Sequence, residues 1–309
     1  MKILLIGHTG FVGSNVYNEL KRDMDLVTYS KSTGMDLLNL ESIIEILKSE
    51  NPDVIVNCAA KVGSLNYVTK IAADILDENM RMLLNLFKAI NVTNPKVILI
   101  NPIANCAFPG NQKEYYEDEL WDGRVHQSVL AYGSTRRMID VMSDCYKMQY
   151  DIKSISLYVP NMYGPFDSTD PNKAHALNAL VSKIVKAKKE DSESIDVWGS
   201  GIAIREWLYA PDFGKVIRLI IESVSIKIYS EPFNIAQQYG LSISDLLNII
   251  ITEANFNGEV IWDKSMSDGA LKKVMNDSRF RKNFPDFKFT SLDEGLKNTI
   301  DYYESIYPY

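Results

Sequence analysis

The spacing of apolar positions changes period several times along the chain. Ile3-Leu4-Leu5-Ile6 is apolar on both alternations, the pattern of a parallel strand covered on both faces. Gly7, Gly10 and Gly13 follow, and 14–20 reads as a helix. Leu26–Tyr29 predicts a second strand, and Leu40–Lys48 a helix with Ile43, Ile44 and Leu47 on one face. After Pro52-Asp53, Val54–Asn57 predicts a third strand, ending in the small-residue run Cys58-Ala59-Ala60. A helix over Ala72–Ile90 carries Ile75, Met82, Leu83, Leu86 and Phe87 at core-packing spacing. Lys96–Ile100 predicts the fourth strand, Tyr132–Gln149 a helix beyond the acidic loop Glu114–Glu119, and Ser154–Val159 the fifth strand. Strands and helices that alternate with crossover-length connections predict an α/β fold with a right-handed, doubly wound parallel sheet.

The texture changes after Pro160. A Pro-, Asp- and Asn-rich loop over 161–172 precedes a helix at Ala174–Lys189 and a short strand at Ile195–Trp198. Phe233–Ala236 would return to the sheet, and Leu241–Ala254 reads as an amphipathic helix of a smaller C-terminal α/β lobe. Ligands of such sheets bind outside the carboxyl ends of the strands. The expected division is therefore 1–164, with a return near 208–236, as a dinucleotide-binding Rossmann domain, and 165–207 with 237–309 as a substrate-binding lobe.

Composition narrows the classes. At 309 residues, 46% hydrophobic and 24% charged, the chain can bury a sizeable core. A net charge of −7 argues against a nucleic-acid or anionic-membrane partner, which needs clustered Lys and Arg. Cys58, Cys106 and Cys145 are odd in number and far apart, offering neither a disulfide framework nor metal spacing. Only four apolar residues separate Met1-Lys2 from Gly7, and no segment approaches a membrane span, so a cytoplasmic protein is expected.

The glycine triplet is the first candidate site. Between a strand and a helix, it permits a tight turn and close backbone approach to a phosphate at the helix N-terminus. Gly7, Thr9, Gly10, Phe11, Val12 and Gly13 are thus candidate cofactor contacts, joined by Ala59, Ala60 and Lys61 after the third strand. After the second strand, Ser30-Lys31-Ser32-Thr33 offers one cation and three hydroxyls, with Asp36 close behind. Ser30, Lys31 and Asp36 leave the choice between NAD(H) and NADP(H) open. Tyr132 and Arg136, four apart on a predicted helix, share a face. A permanent cation beside a phenol favours its phenolate, which suits proton exchange with a sugar hydroxyl or carbonyl.

Gly7-x-x-Gly10-x-x-Gly13, Tyr132-x-x-x-Arg136 and Asn161-x-Tyr163-Gly164-Pro165 resemble the extended short-chain dehydrogenase/reductases that act on nucleotide sugars. The similarity is closer to the GDP-fucose synthase branch, which reduces and epimerises GDP-4-keto-6-deoxymannose. Ala60-Lys61-Val62-Gly63, Asn105-Cys106-Ala107-Phe108-Pro109 and His175-Ala176-Leu177-x-Ala179-Leu180 carry it, and Val197-Trp198-Gly199-Ser200-Gly201, Arg205-Glu206-Trp207-Leu208 and Trp262-Asp263-Lys264 extend it. The resemblance implies Tyr132 and Arg136 as cofactor-contacting catalytic residues, with Tyr132 the acid/base at the sugar C4. It implies Cys106 and His175 as the pair that removes and returns a proton beside the 4-keto carbon. Asn161, Lys183, Trp198, Arg205 and Lys273 match positions that line the substrate or bind its diphosphate. A GDP-sugar partner and a homodimer or higher homo-oligomer, joined through the Tyr132 helix and the one before it, are also implied.

Three positions depart from that pattern. The family's Ser or Thr falls at Ala104; such a donor is worth about 10²–10³ in rate elsewhere, and Asn105 or Asn101 is a possible substitute. Arg136 stands for a lysine, keeping the charge with a larger, planar fork. Thr9 stands where the fucose enzymes carry an Arg for a 2′-phosphate. The expectation is hydride transfer at C4 of a GDP-linked hexose or heptose, as a 4-keto reductase with or without C3/C5 epimerisation, or as a 4-dehydrogenase with tightly held cofactor. A redox-neutral epimerase and a non-catalytic dinucleotide sensor are the alternatives.

Overall fold

The computed structural model describes residues 1–170, 173–224 and 231–309, so 171–172 of the loop read over 161–172 lie outside the described residues. In chain order come β1 (Lys2–Ile6), α1 (Phe11–Leu20), β2 (Asp25–Tyr29), α2 (Leu40–Glu50) and β3 (Val54–Asn57). Next are α3 (Leu65–Lys70), α4 (Ala72–Thr93), β4 (Ile98–Ala104), α5 (Leu130–Tyr150), β5 (Lys153–Val159) and β6 (Asn161–Tyr163). Then follow α6 (Ala176–Lys189), β7 (Ser194–Trp198), β8 (Ile204–Arg205), β9 (Trp207–Tyr209), α7 (Ala210–Val224) and β10 (Phe233–Asn234). The described chain closes with β11 (Leu241–Ser242), α8 (Ile243–Ala254), β12 (Glu259–Asp263), β13 (Lys272–Lys273), α9 (Ser278–Asn283) and α10 (Leu292–Ile306).

The central sheet has the order β10-β5-β4-β3-β1-β2, with every pair parallel. This is the expected doubly wound Rossmann arrangement. The unbroken apolar run of β1 has its reason here: Ile3 and Leu5 pack with Val16 of α1 and Phe213 and Ile217 of α7. Leu4 and Ile6 face the opposite layer, with Ile43 of α2, Leu86 of α4 and Ile139 of α5. A separate cluster joins Leu177 and Ile184 of α6, Ile195 and Val197 of β7, Leu247 and Ile250 of α8, and Ile300 of α10. Phe280 and Phe284 pack into the sheet's own core, so the chain touches the sheet again after α8.

Two boundaries differ from the sequence reading in ways that move the site. Strand β4 runs to Ala104 rather than ending at Ile100, because Asn101–Ala104 pair with Ser156–Val159 of β5. Pro102 is tolerated there because the ladder between β3 and β4 stops at Ile100, leaving no partner on that side for the missing N–H. Helix α1 begins at Phe11, not Ser14, with Gly10 as its N-cap. Gly7 has a left-handed φ of +84°, and a Cβ on Gly13 would lie 2.1 Å from the Gly7 carbonyl oxygen. The first turn of α1 therefore rests directly on the end of β1.

That contact is testable. Gly13→Ala is expected to destabilise the fold by about 1–3 kcal/mol in chemical denaturation, since backbone must move to admit the methyl group. Gly10→Ala, whose Cβ would meet nothing closer than 3.4 Å, should cost less than about 1 kcal/mol, the scale of an N-cap change. Equal losses would contradict the packing described.

Candidate active site

A cavity of about 920 Å³ opens at the carboxyl edge of the sheet. One wall is the sheet's own: Gly10–Val12 after β1, Asn57–Ala60 at the end of β3, Ala104–Cys106 at the end of β4, and Val159–Met162 at the end of β5. Tyr132 and Arg136 of α5 join this wall, and His175, Lys183, Trp198, Arg205 and Lys273 stand in the wall supplied by the second half of the chain. The cavity thus gathers all the predicted catalytic and substrate residues. Of the predicted cofactor residues, Gly7, Thr9, Gly13, Ser30, Lys31, Asp36 and Lys61 do not line it.

The glycine turn suits a dinucleotide. No side chain caps the N-terminus of α1, and the first-turn amides of any helix lack intrahelical acceptors. At Gly10 an added Cβ would meet only the Gly7 carbonyl oxygen, at 3.4 Å, beside the positive end of the helix dipole. Gly7 and Gly13 serve this surface from behind, as the close packing that shapes the turn. Past β2, the Ser30 hydroxyl is satisfied locally by Ser32 at 2.9 Å and Thr33 at 3.1 Å. Lys31 pairs with Asp36 at 3.1 Å on the surface. Lys61 carries its ammonium to Glu78 of α4 at 2.5 Å, away from the cavity.

Arg136 is 4% exposed, and its guanidinium carbon lies 5.0 Å from the Tyr132 ring centroid. Its Nη2 donates to Asn79 Oδ1 at 3.2 Å, while Nε has no partner among the described residues. Asn79, fully buried on α4, also accepts from the Lys61 amide at 3.0 Å and donates to the carbonyls of Lys61 (2.9 Å) and Ile75 (2.8 Å). One side chain therefore fixes both the loop after β3 and the Arg136 cation of α5. Burial raises the Tyr132 hydroxyl above the ordinary phenol value, Arg136 pulls it down, and burial is the larger effect. The sequence expectation of an acidified phenol is thus corrected, because removal from water costs the phenolate more than the neighbouring cation returns.

At Ala104 the wall carries a methyl group. Asn101 does not line the cavity; its Oδ1 accepts from Asn57 Nδ2 at 3.4 Å. Asn105 does line it, is 3% exposed, and has a buried Nδ2 without a partner among the described residues. Ser128, another cavity residue, has its hydroxyl 2.8 Å from His126 Nδ1. Cys106 is buried, and desolvation lifts its thiol above the usual value while Lys273 and Arg136 oppose the shift. Burial also lowers Lys273.

The second wall depends on partners that sequence reasoning missed. His175 Nδ1 lies 3.1 Å from both oxygens of Asp167. Arg205 donates to the carbonyls of Ile204 and Asp268, each at 2.8 Å, so its guanidinium is aimed by backbone rather than by a carboxylate. Lys183 Nζ donates to the Asp196 carbonyl at 2.6 Å. Trp198, half exposed, and Tyr309 also line the cavity. Glu206, fully buried, accepts from the amides of Gln237 (2.6 Å) and Met275 (2.8 Å), and so holds the strand bearing Lys273 in place. Only Glu206 had a sequence signal, in the run Arg205–Leu208; Asn79, Asp167 and Asp268 are ordinary polar residues until the fold supplies their partners.

The chain belongs to the NAD dependent epimerase/dehydratase family, whose model matches residues 3–236. It is 27% identical to a GDP-L-fucose synthase of Dictyostelium discoideum over 98% of this chain and 96% of that protein. Among solved structures, a GDP-6-OMe-4-keto-L-xylo-heptose reductase from C. jejuni superposes with a TM-score of 0.88 at 22% identity, covering 98% of this chain and 97% of that one. A GDP-mannoheptose C4 reductase from Campylobacter jejuni with NADP bound gives a TM-score of 0.82 at 21% identity, covering 98% of each chain. At those identities the structures establish the shared fold.

Glu206 makes stability depend on pH. Burial pushes its carboxyl up to about 7, so the folded chain holds a proton that the unfolded chain releases near ordinary carboxyl values. This contribution is complete at low pH and is lost as pH rises towards about 7. The thermal midpoint of the wild type, measured relative to Glu206→Gln from about pH 5 to about pH 8, should fall with rising pH. A difference that stays flat would rule the effect out.

Proposed function

We propose that this chain is a nucleotide-sugar oxidoreductase transferring hydride at C4 of a GDP-linked hexose or heptose. The observation that carries this reading is the placement of Tyr132 and Arg136 on the sheet side of one cavity and His175, Arg205 and Lys273 on the other. The fucose synthase relative and the two heptose reductases of the same fold support a GDP-sugar as substrate. When bound, NAD(H) or NADP(H) supplies or accepts the hydride. Gly10, Phe11 and Val12 would hold its diphosphate, Ala59 and Ala60 would offer backbone to it, and Arg136 would bind its nicotinamide ribose. Lys31, the cation after β2, would favour a 2′-phosphate if it left its pairing with Asp36.

Tyr132 gives its proton to the C4 oxygen on reduction and takes it back on oxidation. A charged oxygen there needs a second donor, and the unclaimed Nδ2 of Asn105 serves where Ala104 cannot. Arg205, Lys273 and Lys183 neutralise the diphosphate, with Asn161 and Trp198 against sugar and nucleoside. Cys106 and His175, both in the cavity wall, carry the C3/C5 epimerisation, one removing the proton beside the ketone and the other returning it. The division of the chain into a dinucleotide half and a substrate lobe belongs to the same reading, with 275–289 assigned to the sheet. The enzyme works in the cytoplasm as a homo-oligomer through α4 and α5, where Leu76, Leu84 and Leu130 are exposed.

Turnover of a GDP-4-keto sugar, followed by absorbance of the reduced cofactor, tests this. Tyr132→Phe should lower kcat by about 10²–10⁴ with cofactor affinity little changed. Wild-type turnover in that variant would remove Tyr132 from the chemistry. Lys31→Ala should raise the KM for NADPH more than that for NADH; equal effects would take Lys31 out of cofactor choice.

A further inference from the structure

His175 has a partner that the catalytic reading leaves unused. Asp167 belongs to the loop after β6, and its side chain is 3% exposed. One of its oxygens accepts from the His175 amide at 2.8 Å and from Asn178 Nδ2 at 2.8 Å. Asn178 in turn accepts from the Gly164 amide at 3.0 Å through its Oδ1, fixing the orientation of its own amide. The imidazole Nδ1 sits 3.1 Å from both Asp167 oxygens, and Phe11 packs on the ring at a centroid distance of 5.0 Å. Burial pushes the Asp167 carboxyl up, but the hydrogen bond from His175, its charge when the ring is protonated, and the donors from Asn178 and the His175 amide outweigh it, holding the group below its ordinary range.

We propose that Asp167 is a positioning residue that fixes His175 as the Nδ1–H tautomer, leaving Nε2 as the nitrogen that exchanges a proton with the substrate. An ionised carboxylate only accepts, so the nitrogen facing it must carry the hydrogen. The neutral ring then presents its Nε2 lone pair to the cavity, opposite to the tautomer that a free imidazole side chain favours in water. This rests on the reading of His175 as an epimerisation group. Nε2 takes the proton from the carbon beside the ketone. The C–H electron pair becomes the double bond of an enolate and the carbonyl π pair moves onto oxygen. The resulting imidazolium, charged beside Asp167, keeps that proton until it returns to carbon or solvent. With Asn at 167, an amide NH₂ facing Nδ1 would turn the ring into the unreactive tautomer, its Nε2 already protonated.

The chain has only three histidines, so the tautomer can be read directly. Protein labelled with ¹⁵N-histidine, without substrate and at a pH where His175 is neutral, gives a two-bond ¹H–¹⁵N pattern for each ring, and His175→Gln assigns the signal. The wild type should show Nδ1–H, and Asp167→Asn should show Nε2–H. A wild-type Nε2–H pattern overturns the proposal without reference to any variant, and so does an unchanged pattern in Asp167→Asn. In a second measurement, solvent deuterium uptake at C3 or C5 should fall on the order of 10²-fold relative to hydride transfer in Asp167→Asn. Equal losses in both would make Asp167 a structural residue and overturn its positioning role. Absence of uptake in the wild type would refute the epimerisation reading and the use of Nε2 in it, while the spectrum alone would still decide the tautomer.

Discussion

A guanidinium that cannot release its proton lies buried in the cavity wall, and none of its recorded partners is a carboxylate. Burying such a charge is costly unless polar groups and polarisable surface replace the water it has lost. Here the replacements are the amide oxygen of Asn79 and the face of the Tyr132 ring. Much of the site's geometry follows from satisfying that one charge. Asn79 is held by the backbone on either side of Lys61 and by its own helix. The loop after β3, helix α4 and the first turns of α5 are therefore locked in register before any ligand arrives. The price is a phenol harder to ionise than in water, so Tyr132 holds its proton more firmly than a free phenol does.

The two walls are constructed differently. The sheet wall is made of strand ends packed in register and covered on both faces, so its backbone cannot yield without disturbing the core. The opposite wall carries its cations on very short strands and a helix: Arg205 on β8, Lys273 on β13 and Lys183 on α6. These are tied down by a few polar contacts, through Glu206, the carbonyls of Ile204 and Asp268, and the Asp196 carbonyl. Such an arrangement gives a rigid wall on the sheet side and a more adjustable one opposite.

The sheet half of the fold was legible because strands buried on both faces leave unbroken apolar runs, as in β1 and β3. Helix α7 escaped notice because Pro211 and Gly214 near its start resemble a turn and its run Leu219-Ile220-Ile221 resembles a strand. The end of β4 was obscured by Asn101-Pro102, whose tolerance depends on where a neighbouring strand stops. Side chains at the cavity were found through motifs. Their supports were not, since the Asn79–Arg136 bond spans 57 positions and no local pattern records it. The balance between burial and charge at Tyr132 was likewise beyond sequence, which shows that a cation is near but not how little water is.

The return of β10 to the edge of β5 has a consequence for biogenesis. A nascent chain that has emerged only as far as β5 presents that strand's outer edge bare, and its covering partner is still some seventy residues from the ribosome exit. The opposite wall of the cavity is completed later still, and not before Lys273 on β13 has been made. During synthesis there is therefore an interval in which an exposed template for strand addition coexists with a turn already shaped for a dinucleotide. A cofactor captured at that stage would favour the native arrangement by mass action before the remainder of the polypeptide has been made.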